Sequence, residues 1–527
     1  MPIWLALTLA IGVFVGIYVG KKMGSADRFS KNNLVDEALQ YITNDYVDTV
    51  NVADLQQEGI EAMLEKLDAH SSYIPPKDLQ VAKASLEADF EGIGIEFQIF
   101  SDTVNVITPI SGGPSELVGL QSGDKIINVD NMPFAGTKIT INDVFAKLRG
   151  EKGTKVKLTI KRKGIKNLMS FTIIRDKIPT YSVDAAFIYA PATGYIKLNR
   201  FGENTFTEFK NALVKLKEQG MKKLVLDLRD NPGGYLDHAA NIADEFLSDD
   251  KLIVYTKGRK SQYSNTLKAE HEGVFEQGSL IVLVDEGSAS ASEIVSGALQ
   301  DHDRALIVGR RTFGKGLVQM PISLSDGSEL RLTISRYYTP SGRCIQKPYH
   351  GNKEDYEMDY VKRFKHGEMY SKDSIHFADT LKFKTEKGRT VYGGGGIMPD
   401  VFVPQDTTAF SSYLSQLLNK GVLRETAFEL YETNKSRLNK MTLESFNKSF
   451  VVSDNDLQKM VDKANAAGVK FNLKGFDRSK EYIRNYVKAL IAKSVWKMDG
   501  FIYVFNQKDN VFIEAQKHWE EAASISK

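Results

Sequence analysis

Ser290 and Lys315 are the residues whose setting suggests chemistry. Ser290 lies in Gly287-Ser288-Ala289-Ser290-Ala291-Ser292-Glu293, directly after the apolar run 280–284, and Lys315 lies in Thr312-Phe313-Gly314-Lys315-Gly316, after a second apolar run at 305–309. Each run reads as a buried strand. The helix-period stretch Glu293, Ile294, Val295, Ala298, Leu299 then puts the serine at a strand-to-helix turn, where nucleophilic serines sit. Small neighbours let the backbone approach a substrate closely. A lysine between glycines and flanked by apolar residues is partly desolvated, which lowers its pKa and lets the neutral amine act as a general base. The pair reads as a Ser/Lys dyad. Taken singly, Ser-Ala-Ser-Ala-Ser is an ordinary helix start and Gly-Lys-Gly an ordinary turn, so their joint context carries the reading.

These segments resemble those of the C-terminal processing peptidases, or tail-specific proteases, which are serine peptidases with a Ser/Lys dyad. The resemblance implies Ser290 as nucleophile, Lys315 as base and Gln319 as the residue that supports the lysine. The segment Leu226-Asp227-Leu228-Arg229-Asp230-Asn231-Pro232-Gly233-Gly234 resembles the family's oxyanion turn. It implies backbone N–H donors at Gly233 and Ala291, and such preorganised donors are often the largest single catalytic contribution. Without that context Asn-Pro-Gly-Gly is simply a turn. Two rival readings stand beside this one. One is a PDZ-type scaffold whose peptidase core is inactive or regulatory. The other is a Ser/His/Asp hydrolase using His238 or His302, and the dyad reading predicts that both histidines are replaceable.

A chain of 527 residues, 42% apolar and 26% charged, can bury several cores, which implies three or four folded units. Its 69 basic and 67 acidic residues leave a net charge of +2, which argues against a nucleic-acid partner. The single Cys344 excludes an internal disulfide framework and a zinc ribbon. The eight histidines form no His-Glu-x-x-His motif, so neither a metal nor another cofactor is expected.

The reading is of a mixed α/β protein in five parts. Residues 1–22 hold the uncharged, mostly apolar stretch Ile3 to Gly20, closed by Lys21-Lys22, which reads as a transmembrane signal-anchor. By the positive-inside rule those lysines alone would leave the body in the cytoplasm. The resemblance implies the periplasm or cell envelope instead. Residues 31–85 carry helical spacing, interrupted by Leu67-Asp68-Ala69-His70-Ser71-Ser72-Tyr73-Ile74-Pro75, where His70 is expected to be a structural cap. Residues 86–175 alternate as short strands and resemble a PDZ domain. That implies a Gly92, Ile93, Gly94, Ile95 loop offering N–H groups to a peptide carboxylate, with a helix from Ile141 to Leu148 as the facing wall.

Residues 176–405 alternate strand and helix, the pattern of a largely parallel α/β core. Ser325-Asp326-Gly327 marks a hairpin within it. The stretch 346–385 has no clear period and reads as an insertion without an assigned role. From 406 to 527 the helix period returns as a C-terminal extension. The whole reads as a membrane-anchored serine endopeptidase that takes protein substrates by their C-termini, with a homodimer or adaptor as a further partner.

Overall fold

In the computed structural model the described residues are 34–526 apart from 85, 86, 88, 101 and 111. The membrane-anchor reading therefore falls outside them, and among the described residues no helix is long and apolar enough to cross a membrane. The chain opens with α1 (Leu34–Asp45) and α2 (Val52–Glu65), then β1 (Ser72–Ile74) and α3 (Pro76–Ala84). Asn51 caps α2 by accepting the Ala53 N–H. No residue of α1 is buried, and Leu34, Val35 and Tyr41 lie open on it.

A β-rich module follows. β2 (Asp89–Gly92), β3 (Ile95–Phe100), β4 (Thr103–Pro109), β5 (Lys125–Val129), β6 (Met132–Pro133), α4 (Ile141–Leu148), β7 (Lys155–Lys161), β8 (Met169–Ile174) and β9 (Asp176–Pro179) build it. The sheet runs β3-β4-β5-β7-β8, with β6 on β5. Strand β7 shows why. In Lys-Val-Lys-Leu-Thr-Ile-Lys the apolar residues Val156, Leu158 and Ile160 are buried and the lysines at both ends exposed, the two-residue period of a half-buried strand. Thr140 caps α4 in a capping box with Asp143. Antiparallel pairing of β2 with β9 brings the entry and exit of the module together.

The core sheet consists of β10 (Val183–Ala190), β11 (Thr193–Leu198), β12 (Lys223–Asp227), β15 (Ser279–Val284), β16 (Leu306–Gly309) and β21 (Val401–Phe402) in that order. All neighbours are parallel except β10 with β11. Because both faces of a parallel sheet are covered, β12 and β15 read as continuous apolar runs, and they are buried almost throughout. α5 (Thr205–Glu218), α6 (Leu236–Asp244) and α7 (Ala291–Asp301) cover one face.

A second, antiparallel sheet orders β1, β18 (Glu329–Tyr338), β13 (Leu252–Gly258) and β14 (Thr266–Lys268), with β17 (Leu317–Ser323) also on β18. The expected hairpin is β17–β18. The three-residue β1 was not foreseen: it pairs with β18 at Ser72↔Arg331, tying the N-terminal region to the core. β19 (Lys382–Lys384) and β20 (Thr390–Tyr392) form a small hairpin within and after the 346–385 segment.

The C-terminal region is helical, as its period implies: α8 (Ser412–Asn419), α9 (Val422–Leu438), α10 (Leu443–Ser449), α11 (Asp454–Ala466), α12 (Leu473–Phe505), α13 (Asn510–Ala515) and α14 (Trp519–Ser526). α12 breaks at Trp496–Lys497, where Lys497 adopts φ 55°. The last helices return to the core: Ile502, Val511, Phe512 and Ala515 pack on Tyr195, Val225 and Ile281 and supply the second face of the core sheet. The extension also touches the β-rich module, through a Lys493–Glu96 ion pair at 2.5 Å and a Phe428–Phe100 ring contact.

Candidate active site

β15 delivers the chain to Ser290, which stands immediately before α7 with φ 52° and ψ −111°. A non-glycine residue at positive φ is strained and persists only where its surroundings over-determine it. Here the determining group is Glu293, one turn into α7 and fully buried. Its carboxylate accepts the Ser290 N–H at 2.9 Å, the Thr312 hydroxyl at 2.5 Å, and the N–H groups of Gly314 at 2.7 Å and Lys315 at 2.9 Å. One side chain thus joins the nucleophile turn to the lysine loop. Burial pushes its carboxyl up to about 7 against the pull of those donors.

The buried Tyr337 on β18 makes a second tie, its hydroxyl reaching Lys315 O at 2.5 Å and Ser290 O at 3.1 Å. A third runs from the Phe313 N–H to Ser288 O. α7 itself is buried along its whole length, so its polar groups need partners. They have them: Asp301 pairs with the fully buried Arg343 at 2.7 Å, and Gln300 donates to Met398 O.

Lys315 is half-buried. Desolvation, with Arg331 adding repulsion, lowers its pKa, while Glu293 and Asp68 pull the other way. No hydrogen bond joins its Nζ to Ser290 Oγ among the described residues. Gln319 lies on β17 and donates to Thr333 Oγ1 at 3.1 Å, and among the described residues no hydrogen bond joins it to Lys315.

The turn after β12 is held by Asn231, fully buried, whose Nδ2 donates to Leu198 O and whose backbone O accepts from Ala289 N–H and Ser292 Oγ. Asp285 fastens the turn to the nucleophile loop by accepting the Asp230 and Gly287 N–H groups. Burial, with the nearby Asp230 charge, pushes the Asp285 carboxyl up to about 6. Gly233, at φ 94°, abuts the nucleophile: a Cβ there would stand 2.6 Å from Ala289 O and 2.8 Å from both Ala291 N and Ser290 Cβ. Its N–H, however, donates to Asn231 Oδ1 at 2.9 Å. The N–H groups of Ala291 and Gly234 have no such partner among the described residues.

Of the PDZ-like loop residues, Gly92 ends β2, Ile95 begins β3, and Ile93 is buried with its carbonyl held by Ser115. Gly94 takes φ 71°. Phe97 on β3 and Phe145 on α4 meet edge-on, ring centres 6.0 Å apart. Both nitrogens of His302 are engaged, by Glu386 and Leu252 O, and His238 makes its ring contact with Tyr235. Neither histidine is hydrogen-bonded to Ser290 among the described residues.

Comparison with known proteins supplies the family. Residues 192–358 match peptidase family S41, 106–162 match the PDZ domain, and 413–497 match a family of unknown function, DUF8443. A carboxy-terminal-processing protease of Bartonella bacilliformis is 38% identical over 314 residues, covering 59% of this chain and 71% of the relative. The chain belongs to this family. It is a serine-type peptidase with a PDZ domain. The carboxy-terminal processing protease CtpB of Bacillus subtilis is 34% identical over 328 residues, covering 61% of this chain and 67% of that one. Among solved structures, a photosystem II D1 C-terminal processing protease is 28% identical with a TM-score of 0.36, covering 72% of this chain and 88% of that chain. The PDZ match begins after the Gly92–Ile95 loop, which therefore lies outside it.

The tie made by Glu293 has a signal in the sequence, since Ser-x-x-Glu before an apolar helix is a capping signature. Tyr337 carries no such signal, because it acts across the fold.

Proposed function

We propose that this peptidase is an endopeptidase that takes the C-terminal tail of unstructured or damaged envelope proteins in the groove between β3 and α4 and cleaves upstream of it. Tail binding is supported by the PDZ match, since PDZ domains add a peptide strand at a sheet edge and bind its carboxylate in a backbone nest. β3 is such an edge strand. A membrane anchor is supported by the apolar stretch Ile3 to Gly20 of the sequence, and a body facing the periplasm by the family resemblance alone, against the two lysines that close the stretch. A second copy or an adaptor is supported by the open apolar residues of α1.

Ser290 Oγ attacks the scissile carbonyl carbon while neutral Lys315 takes its proton. Lys315 returns that proton to the leaving amine as the C–N bond breaks, and water then releases the acyl group from Ser290. Proton transfer needs the heavy atoms within about 3 Å, so the two side chains rotate together before the step. The oxyanion receives the Ala291 N–H and an N–H of the 233–234 pair. Gly233 can serve only by giving up Asn231 Oδ1. Gln319 supports the lysine through Thr333, which keeps β17 in register with β18.

The observation that carries this reading is the joint hold of Glu293 and Tyr337 on the serine turn and the desolvated lysine's loop. The test is the pH profile of kcat/KM. It rises with pH as Lys315 loses its proton, whereas a flat profile from about pH 5 to 9 would remove Lys315 as base.

A further inference from the structure

The loop between α2 and β1 reaches the active site from a region that the sequence assigns to an N-terminal helical arm. Asp68 organises it. Its carboxylate accepts the His70 N–H at 2.7 Å, the Ser71 N–H at 2.8 Å and the Ser71 hydroxyl at 2.8 Å. Burial pushes that carboxyl up, yet the Ser71 and His70 bonds outweigh it and hold the group below its usual range. Ser71 Oγ in turn accepts the Thr333 N–H at 3.1 Å, and Thr333 Oγ1 accepts from Gln319. A continuous chain of hydrogen bonds therefore leads from Asp68 to the strand that follows Lys315.

His70 itself is turned inward. Its Nε2 lies 3.0 Å from the Tyr356 hydroxyl, and its ring packs edge-on against Tyr356 at 5.2 Å and obliquely on Phe313 at 6.4 Å. Phe313 is two residues from Lys315. The Tyr356 oxygen already accepts from Gln346 Nε2, which frees its own proton for His70 Nε2 and favours the neutral Nδ1–H tautomer. Tyr356 belongs to the 346–385 segment, so the segment left without a role closes this wall.

Resting on Lys315 as the base, we propose that His70 is a positioning residue of the peptidase reaction: its imidazole, bonded to the Tyr356 hydroxyl and packed on Phe313, holds the 312–316 loop where Lys315 stays desolvated. The charged groups that bear on the lysine are Glu293 from α7, Arg331 from β18 and Asp68 from this loop. Those bearing on His70 are Lys315, Asp68, Lys347 and Lys353. Burial first and the Lys315 charge second hold the imidazole at about 4, so it stays neutral over the working range.

The test is the pH profile of kcat/KM on a peptide with a free apolar C-terminus, using the full chain. His70→Ala removes the ring on which Phe313 packs, so the loop loosens, Lys315 becomes better solvated and the acid limb moves alkaline by about half to one unit, roughly three- to ten-fold lower turnover below neutrality. His70→Phe restores the limb towards wild type. Tyr356→Phe, which keeps the ring and loses the hydroxyl, gives a smaller shift of the same sign and serves if His70→Ala does not fold. An unmoved limb in all three, with or without a uniform loss of rate, would reduce His70 to a structural residue and overturn the proposal. Loss of the limb in the wild type would instead remove Lys315 as base.

Discussion

Two glycine-bearing turns in this chain are asked to receive an oxygen anion, and they are built differently. The turn at Gly233 is locked: Asn231 holds its N–H, Asp285 holds Asp230, and no space remains for a Cβ beside Ser290. The Gly92–Ile95 loop is open, with Ile93 and Gly94 N–H groups free of partners among the described residues and only the Ile93 and Gly94 carbonyls tied down. Catalysis needs donors fixed before charge develops, and the locked turn fixes the unpartnered N–H groups of Gly234 and Ala291 while the Gly233 N–H stays with Asn231. Binding of varied tails needs donors that wait for their partner. The contrast is what a division of labour between cutting and tail capture would require.

The comparison can be broken at the locked turn first. Gly233→Ala drives a methyl group into Ala289 O and the nucleophile, and kcat falls by about 10²–10³-fold with KM on a short substrate little changed. A variant retaining full kcat would show that the turn is not the oxyanion site. Glu293→Ala leaves four donors without an acceptor. It lowers kcat by about 10²-fold through the lost positioning of the serine and lysine loops, and thermal unfolding records a loss of about 3 kcal/mol.

The open loop responds more gently. Gly94→Ala strains φ 71° and places a Cβ 2.9 Å from Ile178 Cδ1, so KM for a free-tail substrate rises by about three- to ten-fold. kcat stays put, and a matching fall in kcat would mean that the loop acts beyond binding.

The smallest effect is on stability. The folded-state pKa of Lys315 is lowered, so stability is lost as pH falls through that value and is regained only above the unfolded pKa. Lys315→Met removes this penalty. It abolishes turnover yet stabilises the fold by about 1 kcal/mol at neutral pH, an advantage that shrinks at alkaline pH in denaturant titrations.

How much of this was legible in the sequence depends on distance along the chain. Ser290, Lys315 and the Asn231-Pro232-Gly233-Gly234 turn each follow an apolar strand, and short local patterns expose them. The helices 141–148 and 205–218 were equally readable, having complete periods of their own. What was not legible acts across the fold. Tyr337 reaches both loops from a strand whose alternation signals only a hairpin. Ser72–Ile74 is too short for a strand pattern, and only its partner β18 makes it one. The helical period of the C-terminal region revealed helices but not that Phe512 and Val511 cover the far face of the core sheet.

The central claim is that one chain joins tail capture to Ser/Lys hydrolysis. Cleavage of an unfolded reporter with a free apolar C-terminus tests it most directly, measured for wild type, for Lys315→Ala and for the same reporter amidated at its C-terminus. Both changes should suppress cleavage, the first completely and the second through KM. Equal cleavage by Lys315→Ala would contradict the dyad, and equal cleavage of the amidated reporter would contradict capture by the carboxylate.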